Sequence, residues 1–169
     1  MKIKLILFAI IIIFSSCSIT KNKTITDERT ERKELTGTCT RAGFQKDEFK
    51  TWFRQGYSEY QPDKAVIEKL KNADLYKGVK IRIIFGTWCG DSRRELPRFY
   101  KIADEANIPK RTVRLTAVDT KKSSRDKSID GITFTRIPTF IFYRNGKEIG
   151  RIVEHTKDSL EKDMLNILD

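Results

Sequence analysis

Apolar residues are spaced unevenly along this chain, and the spacing changes with position. Residues 5–14 form one unbroken apolar run, whereas residues 18–34 are polar and charged without any period. From residue 44 the spacing turns helical. Phe44, Phe49, Trp52, Phe53 and Tyr57 predict an amphipathic helix over 44–57 whose aromatics pack on a sheet. Pro62 and Asp63 mark the start of a second helix, followed by Ala65, Val66, Ile67, Leu70 and Ala73. Ile81, Ile83, Ile84 and Phe85 then form a short apolar run that predicts a buried strand. Gly86 breaks it, and a helix starts near Gly90 with Leu96, Phe99, Tyr100, Ala103 and Ala106 on its buried face. Residues 112–119 predict a parallel neighbour strand, 121–127 a basic solvated loop, and 129–136 a lead into Pro138. Residues 139–143 and 148–153 predict a hairpin closed by Asn145-Gly146. Thr156 is placed to cap a last helix bearing Leu160, Met164, Ile167 and Leu168. Residues 35–43 fit either a short first strand or an irregular lead-in. This order predicts an α/β fold: a central mixed sheet with helices on both faces, preceded by an N-terminal helical extension.

Composition changes the picture mainly at the N-terminus. A chain of 169 residues fits one domain. Its net charge of +11, with 34% charged residues, suits a nucleic-acid binder if the protein is cytosolic. The first residues argue against that. Lys2 and Lys4 precede the apolar run, which is too short for the roughly 20 residues that span a bilayer and fits a signal-peptide core. Phe14-Ser15-Ser16-Cys17 resembles a bacterial lipobox, with Phe14 in the usual leucine position. That resemblance implies cleavage before Cys17 and lipidation of its sulfur. Cleavage removes Lys2 and Lys4 and no acidic residue, lowering +11 to +9. The chain thus divides into a lipoprotein signal peptide (1–16), a flexible tether (17–34) and one domain (35–169). A tether of that length reaches about 20–25 Å. The expected location is a bacterial cell envelope, with the domain anchored to a membrane and facing the periplasm or exterior, and no nucleic-acid partner.

The chemistry gathers in residues 81–97, IRIIFGTWCGDSRRELP. Cys89 falls between strand and helix, where unpaired backbone N–H groups and the helix dipole favour a thiolate, the nucleophilic form. Arg93 and Arg94 add to that effect, and Asp91 opposes it. Trp88-Cys89-Gly90-Asp91-Ser92 resembles the Trp-Cys-Gly-Pro-Cys active site of the thioredoxin superfamily. Pro97 matches the proline that kinks that family's active-site helix. Ile137-Pro138-Thr139 resembles its cis-proline loop, and residues 137–151 its strand–turn–strand hairpin. The resemblance covers roughly residues 75–169. It implies thiol–disulfide exchange, with Trp88, Gly90, Asp91, Ile137 and Pro138 bordering a groove that holds extended polypeptide.

Three departures from that pattern shape the expected mechanism. Ser92 stands where a second cysteine would resolve a mixed disulfide, so exchange can start at Cys89 but needs another thiol to finish. The Ser92 hydroxyl remains able to donate a hydrogen bond to the Cys89 thiolate. Ile83 occupies the position of the family's buried aspartate. Glu154 falls where the family keeps a glycine in the groove, and acts there on specificity or proton transfer, or else is a solvated strand-end charge. Cys39 is a possible resolving partner, or a small buried residue near the start of the fold. With His155 the only histidine, no metal or other cofactor is expected. The reading is a monothiol protein acting on thiols or disulfides of envelope proteins, completed by an external reducing thiol or redox partner. Two alternatives stay open: a non-catalytic polypeptide-binding or chaperone-like module, and a glutaredoxin-like monothiol protein, since Cys-Gly-Asp-Ser resembles the Cys-Gly-Phe-Ser of that group.

Overall fold

The computed structural model describes residues 21–169. Cys17 and the expected signal peptide lie outside these residues. The strands are β1 (Lys23–Thr26), β2 (Lys33–Cys39), β3 (Val79–Phe85), β4 (Val113–Ala117), β5 (Thr139–Arg144) and β6 (Lys147–Val153). The helices are α1 (Asp47–Glu59), α2 (Lys64–Leu70), α3 (Gly90–Glu105) and α4 (Leu160–Leu168). One sheet runs in the order β1-β2-β4-β3-β5-β6. Among the described residues only the β3–β4 pair is parallel.

Two expectations about the N-terminal region are corrected. Residues 23–34, read as tether, contain a strand: β1 pairs antiparallel with β2, Lys23 opposite Thr36 and Thr26 opposite Lys33. The β-branched run Thr24, Ile25, Thr26 forms this strand, and Asp27 closes the turn by accepting the N–H groups of Arg29 and Thr30. The ambiguous stretch from residue 35 continues β2 and ends in a short 3-10 turn, Arg41–Gln45, which holds Phe44. α1 therefore begins at Asp47 rather than at residue 44.

Alternation along the strands splits the sheet into two unlike faces. One face sends Leu35, Ile81, Ile83, Phe85, Leu115, Phe140, Phe142 and Ile152 into a single core. The apolar sides of all four helices join that same core. Phe44 stacks on Phe53 at 4.7 Å between ring centroids, and Phe99 meets Phe140 at 5.7 Å. Pro97 within α3 lies against Gly56 of α1, where an added Cβ would come within 2.7 Å of the proline ring.

The opposite face carries Ile84, Val118 and Ile141, and among the described residues no helix packs there. The crossover over residues 118–138 covers it instead, through Ile129, Ile132, Phe134 and Ile137. Helices on both faces were expected. The sequence of the crossover explains the difference, because short polar side chains capture its backbone. Asp119 accepts the N–H groups of Lys121 and Ser123, and Asp126 accepts that of Ser128. Such local bonds compete with helix formation. The loop is also less solvated than its lysines suggest. Asp126 takes the Thr38 N–H at 2.6 Å and is tucked against Gly37, whose φ of +78° leaves no room for a Cβ.

The hairpin that follows the crossover matches expectation. Asn145 and Gly146, with φ of 52° and 83°, close the β5–β6 hairpin. The last helix is capped by Ser159, which accepts the Lys162 N–H, rather than by Thr156.

β2 also takes a carboxyl group into the interior. Glu34 is 1% exposed, and neither of its carboxylate oxygens has a hydrogen-bond partner among the described residues. Burial, reinforced by Asp27 and Asp119 and opposed by Arg93, pushes its pKa up from 4.5 to about 6. Between those values the folded chain retains a proton that the unfolded chain has released. Stability contributed by the neutral carboxyl is therefore full below about pH 4.5 and is lost as pH rises through about 6, by about 2 kcal/mol. Glu34→Gln removes this loss. Urea denaturation at about pH 4 and about pH 7.5 should show the variant gaining on wild type at the higher pH. An unchanged difference between the two proteins at both pH values would contradict the assignment.

Candidate functional site

The site forms because β3, held between β4 and β5, ends abruptly at the edge of the core. Gly86 follows Phe85, and Cys89 N–H closes the turn on the Gly86 carbonyl at 3.0 Å. A side chain at residue 86 is excluded. Its Cβ would lie 2.5 Å from Trp88 Nε1 and 2.9 Å from Ile137 Cδ1. Trp88 is held over this glycine by its own hydrogen bond, Nε1 to the Val118 carbonyl at 3.0 Å. The indole thus ties the turn after β3 to the end of β4.

Cys89 is the N-cap residue of α3, with extended backbone (φ −83°, ψ 127°), and its carbonyl accepts the Arg93 N–H. Its side chain is half-buried and makes no capping bond. The thiol donates instead to the Ile137 carbonyl at 3.5 Å. The Ile137–Pro138 peptide is cis. The structure therefore brings together Trp88, Cys89, Ile137 and Pro138, which lie up to 50 residues apart in sequence. Gly90 beside the sulfur is exposed, and a Cβ there would meet nothing within 4 Å.

The charges expected to compete at Cys89 are largely occupied with one another. Asp91 pairs with Arg94 at 2.7 Å, and Arg94 also holds Glu95 at 2.7 Å. Arg93 Nε is bound to the Thr87 carbonyl at 2.6 Å. The polar contact that the sulfur does make is the Ile137 carbonyl.

Ser92 departs from expectation. It is fully buried, and its Oγ accepts the Gly86 N–H at 3.3 Å. The expected hydrogen bond to the Cys89 sulfur is absent among the described residues. One helical turn after Cys89, the hydroxyl serves to lock α3 onto the end of β3.

Glu154 lies against the proline loop. Its N–H donates to the Pro138 carbonyl at 2.8 Å, and its carboxylate pairs with Arg136 at 2.8 Å. Its φ of +61° falls in the left-handed region that glycine favours. Ile83 is fully buried in the helix-side core and carries no proton.

Cys39 is not brought to the site. It faces Leu115 on β4, and Leu115 faces Ile83 on β3, which places it two strand spacings, about 10 Å, from Ile83. Cys89 lies beyond the end of β3 and leans towards Ile137, on the β5 side and away from β2. A disulfide requires Cα atoms within about 7 Å. Cys39 is 5% exposed, donates to the Gly37 carbonyl, and has its pKa pushed up to about 12, chiefly by burial.

Three contributors to the site escaped the sequence reading. Thr87 Oγ1 accepts the N–H of Leu35, so β2 is fastened to the turn that carries Cys89. Buried Glu34 sits beside this link. Ile129, Ile132 and Phe134, half-buried on the crossover, pack in the same cluster as Trp88 and Cys89. An i, i+3 pair of isoleucines in a polar loop was the available signal for the last of these.

Comparison with known proteins agrees with this geometry. A family model described as "Thioredoxin" matches residues 43–163. Thioredoxin-like protein R548 of Acanthamoeba polyphaga mimivirus is 30% identical over 92 residues, 54% of this chain and 64% of that protein. Thioredoxin H9 of Arabidopsis thaliana is 29% identical over 102 residues, 60% of this chain and 69% of that protein. The chain thus spans rather under two thirds of the viral protein and just over two thirds of the plant one. Among solved structures, Fasciola hepatica thioredoxin is similar with 26% identity and a TM-score of 0.39, over 60% of this chain and 88% of its own. The family match runs from the 3-10 turn before α1 into α4, through the Cys89 junction and the cis-proline loop, and on it the chain belongs to the thioredoxin family.

Proposed function

We propose that this protein performs thiol–disulfide exchange through Cys89 alone. The observation that carries the reading is the pairing of Cys89, half-exposed at the start of α3, with a buried serine one turn on whose oxygen is already bound by Gly86 N–H. In the first step the Cys89 thiolate attacks a disulfide of a polypeptide substrate. A bond forms between Cys89 Sγ and one substrate sulfur, the substrate S–S bond breaks, and the second sulfur leaves as a thiolate that takes a proton from water. Deprotonation of Cys89 ends its bond to the Ile137 carbonyl. That acceptor is then free to pair with the main chain of the incoming polypeptide, as an added strand would. Ser92 has no sulfur with which to displace the product, and Cys39 is out of reach. An external thiolate must attack the substrate sulfur of the mixed disulfide, forming a new disulfide with that sulfur and releasing Cys89 as thiolate.

The domain acts, in this proposal, at a membrane surface of the cell envelope, tethered through a lipidated Cys17. The apolar run 5–14 and the Ser15-Ser16-Cys17 sequence support that placement. Among the described residues no helix is long and apolar enough to cross a membrane.

Two experiments follow from these proposals. In an insulin-reduction assay wild type should turn over poorly and accumulate mixed disulfides on non-reducing gels. Cys89→Ser should abolish the adducts and Cys39→Ser should leave them. Ser92→Cys should raise multiple-turnover reduction severalfold, because two sulfurs one helical turn apart can meet. Absence of adducts in wild type, together with no gain from Ser92→Cys, would favour a module that only holds polypeptide. For the anchor, Cys17→Ser should move the protein to the soluble fraction or block its processing. An unchanged membrane fraction and unchanged mass would exclude lipidation at Cys17.

A further inference from the structure

Cys89 lies beyond one end of the sheet, and basic residues collect at the other. β3 and β4 run parallel and both begin at the end opposite Cys89. Lys80, second residue of β3, is about 17 Å of strand away from Phe85, after which the chain turns to Cys89. Lys110 and Arg111 form the 3-10 turn just before β4, and Lys80 Nζ donates to the Arg111 carbonyl at 3.1 Å. Arg82, two residues before Ile84, leaves β3 on the crossover face, and Arg114 stands opposite it on β4. Lys21, Arg82, Lys110 and Arg114 line one opening beside the start of β4.

Among the described residues none of these six cations joins an ion pair. Arg82 is half-buried and the other five are exposed. Asp104, a carboxylate lining the same opening, is already committed to Arg41 at 2.7 Å and to the Tyr57 hydroxyl at 2.7 Å. Arg82 and Arg114 start about 4.8 Å apart on one face, where like charges destabilise a sheet. A partner of negative charge relieves that repulsion.

The N-terminal segment says which partner. β1 and β4 are each antiparallel to β2, so the chain comes to β1 from the side on which β4 begins. Asn22 is fixed there: its N–H donates to the Thr38 carbonyl at 3.0 Å, and its side-chain oxygen accepts the Thr40 N–H at 2.7 Å. Only residues 18–21 separate Asn22 from Cys17. Fully extended, that link spans at most about 18 Å. A lipid on Cys17 therefore holds the basic end close to a bilayer, and attraction to anionic headgroups acts over a Debye length of about 8–10 Å.

We propose that this basic end docks on an anionic bilayer surface, with lipid phosphates on Lys21, Lys80, Arg82, Lys110, Arg111 and Arg114, and that Cys89 is thereby presented at the end of the sheet facing away from the membrane. The proposal takes its short link from the anchor proposed at Cys17. Its charge contacts are tested on protein that carries no lipid.

Co-sedimentation of the unlipidated full chain with vesicles tests this. Mixed phosphatidylglycerol–phosphatidylcholine vesicles should bind it roughly tenfold or more tighter than pure phosphatidylcholine vesicles. Raising salt from about 0.1 M to about 1 M should erase that preference. Arg111 and Arg114 are exposed, so Arg111→Glu combined with Arg114→Glu should abolish the preference while circular dichroism stays unchanged. Lys121→Glu combined with Arg125→Glu makes the same change of charge on the crossover and should keep it. The rate of Cys89 alkylation, followed by peptide mass, should be the same on the anionic vesicles as in solution. A Cys17→Ser protein that keeps the vesicle preference supports the docking surface even where the anchor itself fails. The proposal is overturned by equal binding to both kinds of vesicle, by equal loss from the two paired substitutions, or by protection of Cys89 on the anionic vesicles. Tighter binding to a short DNA duplex than to the anionic vesicles at equal salt would assign the cations to nucleic acid and overturn it as well.

Discussion

The burial of β3 is the constraint on which the rest of this protein depends. It pairs in parallel with β4 on one side and antiparallel with β5 on the other. Ile81, Ile83 and Phe85 enter the helix-side core while Ile84 enters the cluster beneath the crossover. All four are fully buried, each contributing roughly 1.5–3 kcal/mol of transfer free energy. A strand fixed this firmly has a fixed end, and Cys89 is placed just beyond that end. Gly86, Trp88 and Ser92 then translate the position of the strand into the position of α3, through one forbidden Cβ, one indole hydrogen bond and one buried hydroxyl.

The same arrangement suits the proposed chemistry, in which exchange starts at Cys89 and another thiol finishes it. Cys89 has access, a helix terminus and a peptide carbonyl across the groove. What the site lacks is a second sulfur, and the serine in that place has been drawn into the architecture. Glu154 lies against the proline loop, in a left-handed conformation, with its N–H bonded to Pro138 and its carboxylate paired with Arg136. The apolar crossover residues Ile129, Ile132 and Phe134 complete a wall beside Cys89 that in a two-faced sheet would be the end of a helix.

Much of this was legible in the chain because it is local. The apolar run into Gly86, the Asn145-Gly146 turn, and the Trp88–Ser92 and Ile137–Pro138 motifs each lie within a few residues, and each structure follows from its own short sequence. The features that were not legible depend on partners far away. Thr24 to Thr26 look like tether until β2 pairs with them, since four residues carry too little apolar area to announce a strand. The crossover's cover of the second face is hidden because charge dominates 121–127, whereas Asp119 and Asp126 act by capturing backbone N–H groups. Glu34 acquires its meaning only from sheet register, which no single segment encodes.

The central claim is that one sulfur reacts and that no other sulfur of the domain can finish the cycle. Incubation of the purified chain with a small symmetrical disulfide, followed by intact-mass and peptide-mass analysis without reductant, addresses it most directly. The account predicts one adduct per domain, located on Cys89 and persistent until an external thiol is added, with Cys39 still a free thiol. An intramolecular disulfide between Cys39 and Cys89, or modification of Cys39 at the same rate as Cys89, would contradict it.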